Sequence, residues 1–445
     1  MHRVVLAFVF LCLTALPARA VVVERVTSPK GVEAWLIQDL TTPLIAVNLL
    51  FRGGAALDPP GQVGLAALAS ALLDEGAGEL NHLAFQTRLE DLGIRFGFTA
   101  DHDAITGFLQ TLTENRETAF EMLKLALMAP RFDADAVERV RTHLLTILKQ
   151  MDEDPDTVAG QAWFAHVFPD HPYGRPVAGT PEGLGAITVT DLKAFVAARF
   201  GRDNLLVSVA GDITSAQLAP LLDKAFGDLP AQSQPFTVPE VTPKATDRII
   251  VARKKDIPQS VAVFGHGGIS VTDPDWYTAT LINHILGGND FNARLMKEVR
   301  KRRGLAYSVS STLLPFSYER TALIMGSVAT QNDRFRDSLT IIQNEWRRMA
   351  EQGPTETELV DAKTYLTRVW PLALDRTDRM AHVLLVMQEY NLGLDYLDKR
   401  NDYVERITLA DARRVAARLL QPDALMTIVV GQPTMAESGQ PDESK

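Results

Sequence analysis

Residues 187–214, ITVTDLKAFVAARFGRDNLLVSVAGDIT, align without a gap to residues 407–434, ITLADARRVAARLLQPDALMTIVVGQPT, at a separation of 220 residues. Ile187, Thr188, Asp191, Asp203, Gly211 and Thr214 recur as Ile407, Thr408, Asp411, Asp423, Gly431 and Thr434. Each copy opens with Thr-x-x-Asp, a capping-box-like helix start, and continues through an amphipathic helix and an Asp-containing turn to an apolar strand closed by Gly. One α+β unit is therefore used twice. Between the copies Pro230, Pro235, Pro239 and Pro243 punctuate a stretch without helical period, which predicts a linker over 230–248. The domains expected from this are 21–229 and 249–434, with a polar tail at 435–445. Other elements fit a mixed chain: strands at 46–51 and 261–264, helices at 63–73 and 118–129, and a capped helix start at Thr355-x-x-Glu358.

The first 20 residues read as a secretory signal: Arg3 opens them, 4–16 is almost wholly apolar, and Ala18-Arg19-Ala20 supplies a small-residue cleavage site after Ala20. Periplasmic or secreted localisation is the expectation. Cys12, the only cysteine, lies inside this segment, so the mature chain has neither disulfides nor thiolate ligands. Imidazole and carboxylate are then its strong zinc donors. About 425 mature residues exceed what one core usually serves, and 46% hydrophobic residues suit two or more domains. The net charge of −10 becomes −12 once Arg3 and Arg19 are removed, which argues against nucleic acid or an anionic membrane as partner. No later segment is long and uncharged enough to span a bilayer.

The most informative stretch is LGGNDFNARLMKEVRKRRGLAYSVSS, 286–311. Gly287 and Gly288 break what precedes them, and Asn289 and Asp290 are both good N-caps for a helix to about Lys301. Phe291, Leu295 and Val299 form one apolar stripe facing a core, with Arg294 and Arg300 off it. Gly304 ends the helix before Leu305, Tyr307 and Val309 alternate as a strand. Arg300 and Tyr307 flank the corner, where guanidinium and phenol together suit one carbonyl oxygen. The plain alternative makes Arg300 a solvated member of a basic run and Tyr307 a half-buried strand aromatic.

This stretch resembles the second-half signature of the pitrilysin/insulysin (insulinase-like) zinc metallopeptidases. Leu286, Gly287, Gly288, Arg294, Leu295, Glu298, Arg300, Arg303, Gly304, Leu305, Ala306, Tyr307 and Ser308 match it. Further matches, at turn and fold positions, include Gly53-Gly54, 171–176 and 204–211. The resemblance implies two homologous α/β-sandwich-like domains, and that residues at the positions of Arg300 and Tyr307 help bind substrate peptide at a zinc site in the opposite half. Such a peptidase needs His-x-x-Glu-His on a helix, so that two imidazoles share a face and the Glu activates the metal-bound water. The corresponding segment here is GLAALASALLDEGAG, 64–78, with Ala67 and Ala71 at the histidine positions and Ser70 at the base. A downstream carboxylate ligand is also absent, because Thr146, Ile147 or Leu148 stands there. Leu65, Leu68, Leu72 and Leu73 give that helix a core face instead.

His143, His166 and His171 have no partner at a recognised ligand spacing, and no Gly-x-Ser-x-Gly elbow is present. No metal or cofactor is expected in this chain. The resemblance implies a subunit inactive alone, paired in a heterodimer with a homologous zinc-binding peptidase subunit and supplying Arg300 and Tyr307 in trans to a zinc metalloendopeptidase complex acting on peptides. The rival expectation is a structural or peptide-holding scaffold without proteolytic role.

Overall fold

The computed structural model describes residues 21–244, 246, 248–252, 257–288, 290–315 and 321–434. Residues 1–20, which include Cys12 and the expected signal, together with Asn289 and the tail 435–445, lie outside the described residues. Among the described residues there are thirteen strands. In the first half β1 (Val23–Thr27), β2 (Glu33–Gln38) and β3 (Leu44–Arg52) are followed by the two-residue strands β4 (Gly76–Ala77) and β5 (Leu80–Asn81). Then come β6 (Arg95–Ala100), β7 (Ala104–Leu112) and β8 (Leu205–Gly211). In the second half they are β9 (Ile249–Ala252), β10 (Gln259–Gly267), β11 (Ala306–Pro315), β12 (Ala322–Gln331) and β13 (Met426–Val430).

Two large mixed sheets result, ordered β1-β2-β8-β3-β7-β6 and β11-β12-β10-β13-β9. Read from opposite ends they share one plan. β2 pairs parallel with β8 as β9 does with β13, and β3 runs antiparallel to β8 and β7 as β10 does to β13 and β12. The capping boxes at Thr188/Asp191 and Thr408/Asp411 both close, as does that at Thr355/Glu358. Gly211 and Gly431 end β8 and β13 at φ +126° and +143°, where a side chain is strained. A Cβ at Gly211 would also run into the carbonyl oxygen of Leu44.

The strands are apolar on both sides because each sheet is covered on both faces. On the first sheet Ala34, Leu36, Ile45, Val47, Leu49, Phe51, Val207 and Val209 pack under the half's own helices. The alternate residues Trp35, Ile37, Ala46 and Ala210 meet Ala381, Leu384 and Met387. Those three belong to the helix Thr377–Glu389, which comes from the second half. The exchange is reciprocal. The helix Pro155–Val167 of the first half lays Ala159, Trp163 and Val167 on Val261, Val263, Ile428 and Val430 of the second sheet. Polar bonds fix both: Trp163 Nε1 donates to Met426 O at 3.1 Å, and Ser208 Oγ to Ala381 O at 2.7 Å.

The described residues of 230–248 form neither helix nor strand. They are nevertheless tied down, since the Pro239 carbonyl accepts from His171 Nε2 at 2.8 Å and the Val241 carbonyl from Thr321 Oγ1 at 2.6 Å. Among the described residues no helix is long and apolar enough to cross a membrane.

Trp163 is fully buried at the exchanged contact. Trp163→Ala is expected to lower the unfolding free energy by about 3–5 kcal/mol through a cavity and an orphaned Met426 carbonyl. The urea midpoint followed by far-UV circular dichroism checks this.

Candidate functional site

The helix carrying the first group of candidate positions spans Leu65–Ala71, shorter than the 63–73 expected from sequence. Its entry is fixed by Asp58, whose carboxylate accepts from Gly64 N at 2.8 Å and Ala66 N at 3.0 Å. Burial pushes that carboxyl up to about 6, against the pull of these bonds. Leu65, Leu68, Leu72 and Leu73 enter the core, as their pattern requires. Ala67 and Ala71 are half-buried and Ser70 is buried. The Ser70 hydroxyl donates to Ala66 O at 2.8 Å, so it is engaged within its own helix.

On the helix Ala134–Glu153, Thr146 likewise bonds back to Thr142 O at 2.9 Å, while Leu148 is buried. None of these side chains offers a metal an imidazole or a carboxylate. Among the described residues no three His, Cys, Asp or Glu side chains gather at metal-binding geometry. His143 is exposed and His166 Nδ1 meets Ala162 O. His171 uses both ring nitrogens, accepting from Tyr173 N at Nδ1 and donating to Pro239 O. Burial holds its pKa below the usual imidazole value.

The second group lies at the corner into β11, where the structure alters the expected helix. The Asp290 carboxylate accepts from Asn292 N at 2.9 Å, making a tight local turn instead of capping a helix at that point. Helical residues begin at Arg294, and Met296–Lys301 is a π-helical turn. Leu295 and Val299 are fully buried as expected, but Phe291 is not on the core stripe: it precedes the helix and is 60% exposed. Arg294 is also not a surface cation. It is 5% exposed and clamps Glu358 with bonds of 2.8 and 2.7 Å while donating to Gly353 O. Burial would raise the Glu358 carboxyl, but the hydrogen bonds from Arg294 and Thr355 outweigh it and bring it to about 2.

The other arginines of the run are then sorted by partner. Arg302 and Arg303 both bind the buried Glu298, each at 2.6 Å. Arg300 has no carboxylate partner among the described residues. Its guanidinium carbon lies 5.3 Å from the centroid of the Phe291 ring and 5.1 Å from that of Tyr307. Gly304, at φ +61°, closes the turn with its N–H on Arg300 O.

Tyr307 is 76% exposed, because the pairing of β11 with β12 slips there, from Ala306↔Thr330 to Ser308↔Ala329. The bulged residue is thrown outward at the edge of the sheet. A cation and a phenol thus stand side by side with their donors uncommitted among the described residues, an arrangement able to hold a carbonyl oxygen that gains charge. The sequence placed Arg300 and Tyr307 at one corner, and there they are in contact; it gave no sign that Phe291 would also lie against Arg300. Ala67, Ser70 and Ala71 belong to the first half and Arg300 and Tyr307 to the second.

Comparison with known proteins finds two family models along the chain. Residues 34–181 match the family model described as insulinase (peptidase family M16), and 186–366 that described as peptidase M16 inactive domain. A Helicobacter pylori protein called non-peptidase homolog YmxG is 30% identical over 74% of this chain and 76% of its own length. An uncharacterized zinc protease YmxG of Bacillus subtilis is 22% identical over 80% and 85%. The crystal structure of a peptidase M16 inactive domain from Pseudomonas fluorescens superimposes with a TM-score of 0.86 at 26% identity, covering 94% of this chain and 99% of that one. Complex III2 from Candida albicans shares the fold alone, with a TM-score of 0.78 at 14% identity over 92% and 96% of the two chains.

The Arg294–Glu358 pair ties the start of the helix that leads to this corner to the first turn of the helix Glu356–Val369. Because the Glu358 carboxyl is held below its ordinary range, its stabilising effect is complete above pH about 4.5 and fades as pH falls towards about 2. Glu358→Gln is expected to cost about 3 kcal/mol at pH 7 by leaving Arg294 buried without its countercharge. The gap from the parent should close across that acid window, as read from urea midpoints at each pH.

Proposed function

The chain belongs to the insulinase-type peptidase M16 family, and from that premise we propose that it is the non-catalytic subunit of a heterodimeric zinc peptidase, contributing Arg300 and Tyr307 to peptide binding at its partner's metal site. The observation that carries this is the contrast between the two half-sites. The helix Leu65–Ala71 presents alanines and a serine whose hydroxyl is engaged, a set that does not fit zinc. Arg300, in contrast, is left without an acid beside an outward-turned Tyr307.

In this reading a homologous subunit with His-x-x-Glu-His holds the zinc and activates the water. This chain's part is electrostatic. Arg300 and the Tyr307 hydroxyl donate to the carbonyl oxygen of the bound peptide and stabilise the charge it gains under attack. The names of the Helicobacter pylori and Pseudomonas fluorescens relatives, a non-peptidase homolog and an inactive domain, support the loss of independent activity. The common strand plan of the two sheets, together with the 220-residue repeat, supports an internal duplication joined through 230–248. The apolar segment 4–16 supports export to the periplasm or beyond.

The test is hydrolysis of a quenched fluorescent peptide library by this chain, by the zinc-binding partner and by their mixture, with zinc counted in each. Activity confined to the mixture and zinc confined to the partner are expected. In the active complex Tyr307→Phe should lower kcat/KM by about 10²–10³, the scale of one lost oxyanion donor; an effect of tenfold or less would remove Tyr307 from that role. A complex that assembles and hydrolyses nothing would establish the scaffold role instead.

A further inference from the structure

We propose that Phe291 is a positioning residue for Arg300: its exposed ring, like that of Tyr307, lies against the guanidinium and holds the cation ready without neutralising it. This rests on the peptide-binding role read above for Arg300 and Tyr307. Three observations lead to it. Phe291 is 60% exposed in a chain whose other phenylalanines are mostly buried, so its ring is not kept for the core. Its contacts with charge are specific, since Arg300 lies 5.3 Å from its centroid and Lys301 Nζ 5.8 Å. Its place is set by the Asp290–Asn292 turn, which delays the helix and keeps residue 291 off the buried stripe.

The chemistry explains why rings are used here. Arg302 and Arg303 are held by Glu298, which fixes them but occupies N–H donors and offsets their charge. A cation over an aromatic face is attracted by the ring quadrupole and gives up none of its N–H groups. A long side chain at the surface would otherwise populate many rotamers and would have to be ordered anew for each substrate. With the rings of Phe291 and Tyr307 both against it, the Arg300 guanidinium is restrained and chemically free. Tyr307 thereby has two tasks, as donor and as ring, whereas Phe291 has only the second.

The experiment compares Phe291→Leu, Phe291→Trp, Tyr307→Phe and Lys301→Ala, each in the complex with the zinc-binding subunit, and measures kcat and KM separately. In parallel, the modification rate of Arg300 by phenylglyoxal is followed by mass spectrometry in the single chain. Phe291→Leu is expected to lower kcat/KM about tenfold, mostly in kcat, because displacement of a binding group by about an ångström is costly. It should leave the thermal midpoint unchanged and speed modification of Arg300 severalfold. Phe291→Trp should restore both rates, and Lys301→Ala should stay within about twofold of the parent, placing the effect on Arg300.

If Phe291→Leu matches the parent in kinetics and in phenylglyoxal reactivity while Tyr307→Phe is crippled, the positioning role is wrong and the peptide-binding reading stands. Equal damage from Leu and Trp would make Phe291 a packing residue and also overturn the proposal. A mixture without activity, or one indifferent to Tyr307→Phe, overturns the underlying reading and this role with it.

Discussion

The reciprocal exchange of two helices determines most of what this molecule can be. Each sheet has two apolar faces, and its own half supplies helices for only one of them. The second face is closed by Pro155–Val167 in one case and Thr377–Glu389 in the other. Neither half can therefore bury its sheet alone, and the interface has the character of a domain core rather than of a surface contact. The direction in which each half-site faces is set by this lock, because the helix Leu65–Ala71 and the corner at Arg300 each pack on their own half's sheet.

Much of the architecture was legible in the sequence because it is local. Thr188 with Asp191 and Thr408 with Asp411 announce helix starts through bonds spanning three residues, and the short apolar run 46–51 announces a strand. What could not be read is the destination of an apolar face: nothing in 155–167 says that Trp163 will meet Met426. Arg294 misleads for the same reason, since Glu358, the residue that permits its burial, is 64 residues away. Phe291 misleads differently. Its spacing to Leu295 and Val299 is helical, but the Asp290 carboxylate captures the Asn292 N–H and the helix opens one turn late.

The candidate site was half legible. The absence of imidazole and carboxylate at 67, 70, 71 and 146–148 is a statement about residue types and needs no coordinates. The hydroxyls that remain there are turned back on helix carbonyls, which the sequence does not show. On the other side the proximity of Arg300 and Tyr307 followed from a helix ending at Gly304. The selection of Arg300 from among its neighbours did not. It depends on Glu298 taking Arg302 and Arg303 and on Glu358 taking Arg294, a distribution of acids that only the packed structure reveals.

The π-helical turn at Met296–Lys301 has a consequence for how such a corner tolerates change. A π turn is an α-helix with one residue too many, and its wider winding absorbs that surplus so that the residues after it keep their azimuth. Deleting Met296 would let the segment wind as a regular α-helix, and four steps of about 100° from Leu295 in place of five wider-wound ones would return Arg300 close to its present bearing towards Tyr307, with no change in charge. Chain length can therefore change by one residue inside the turn while the corner keeps its bearing, which makes the turn a buffer between the buried start of the helix and the exposed side chains at its end.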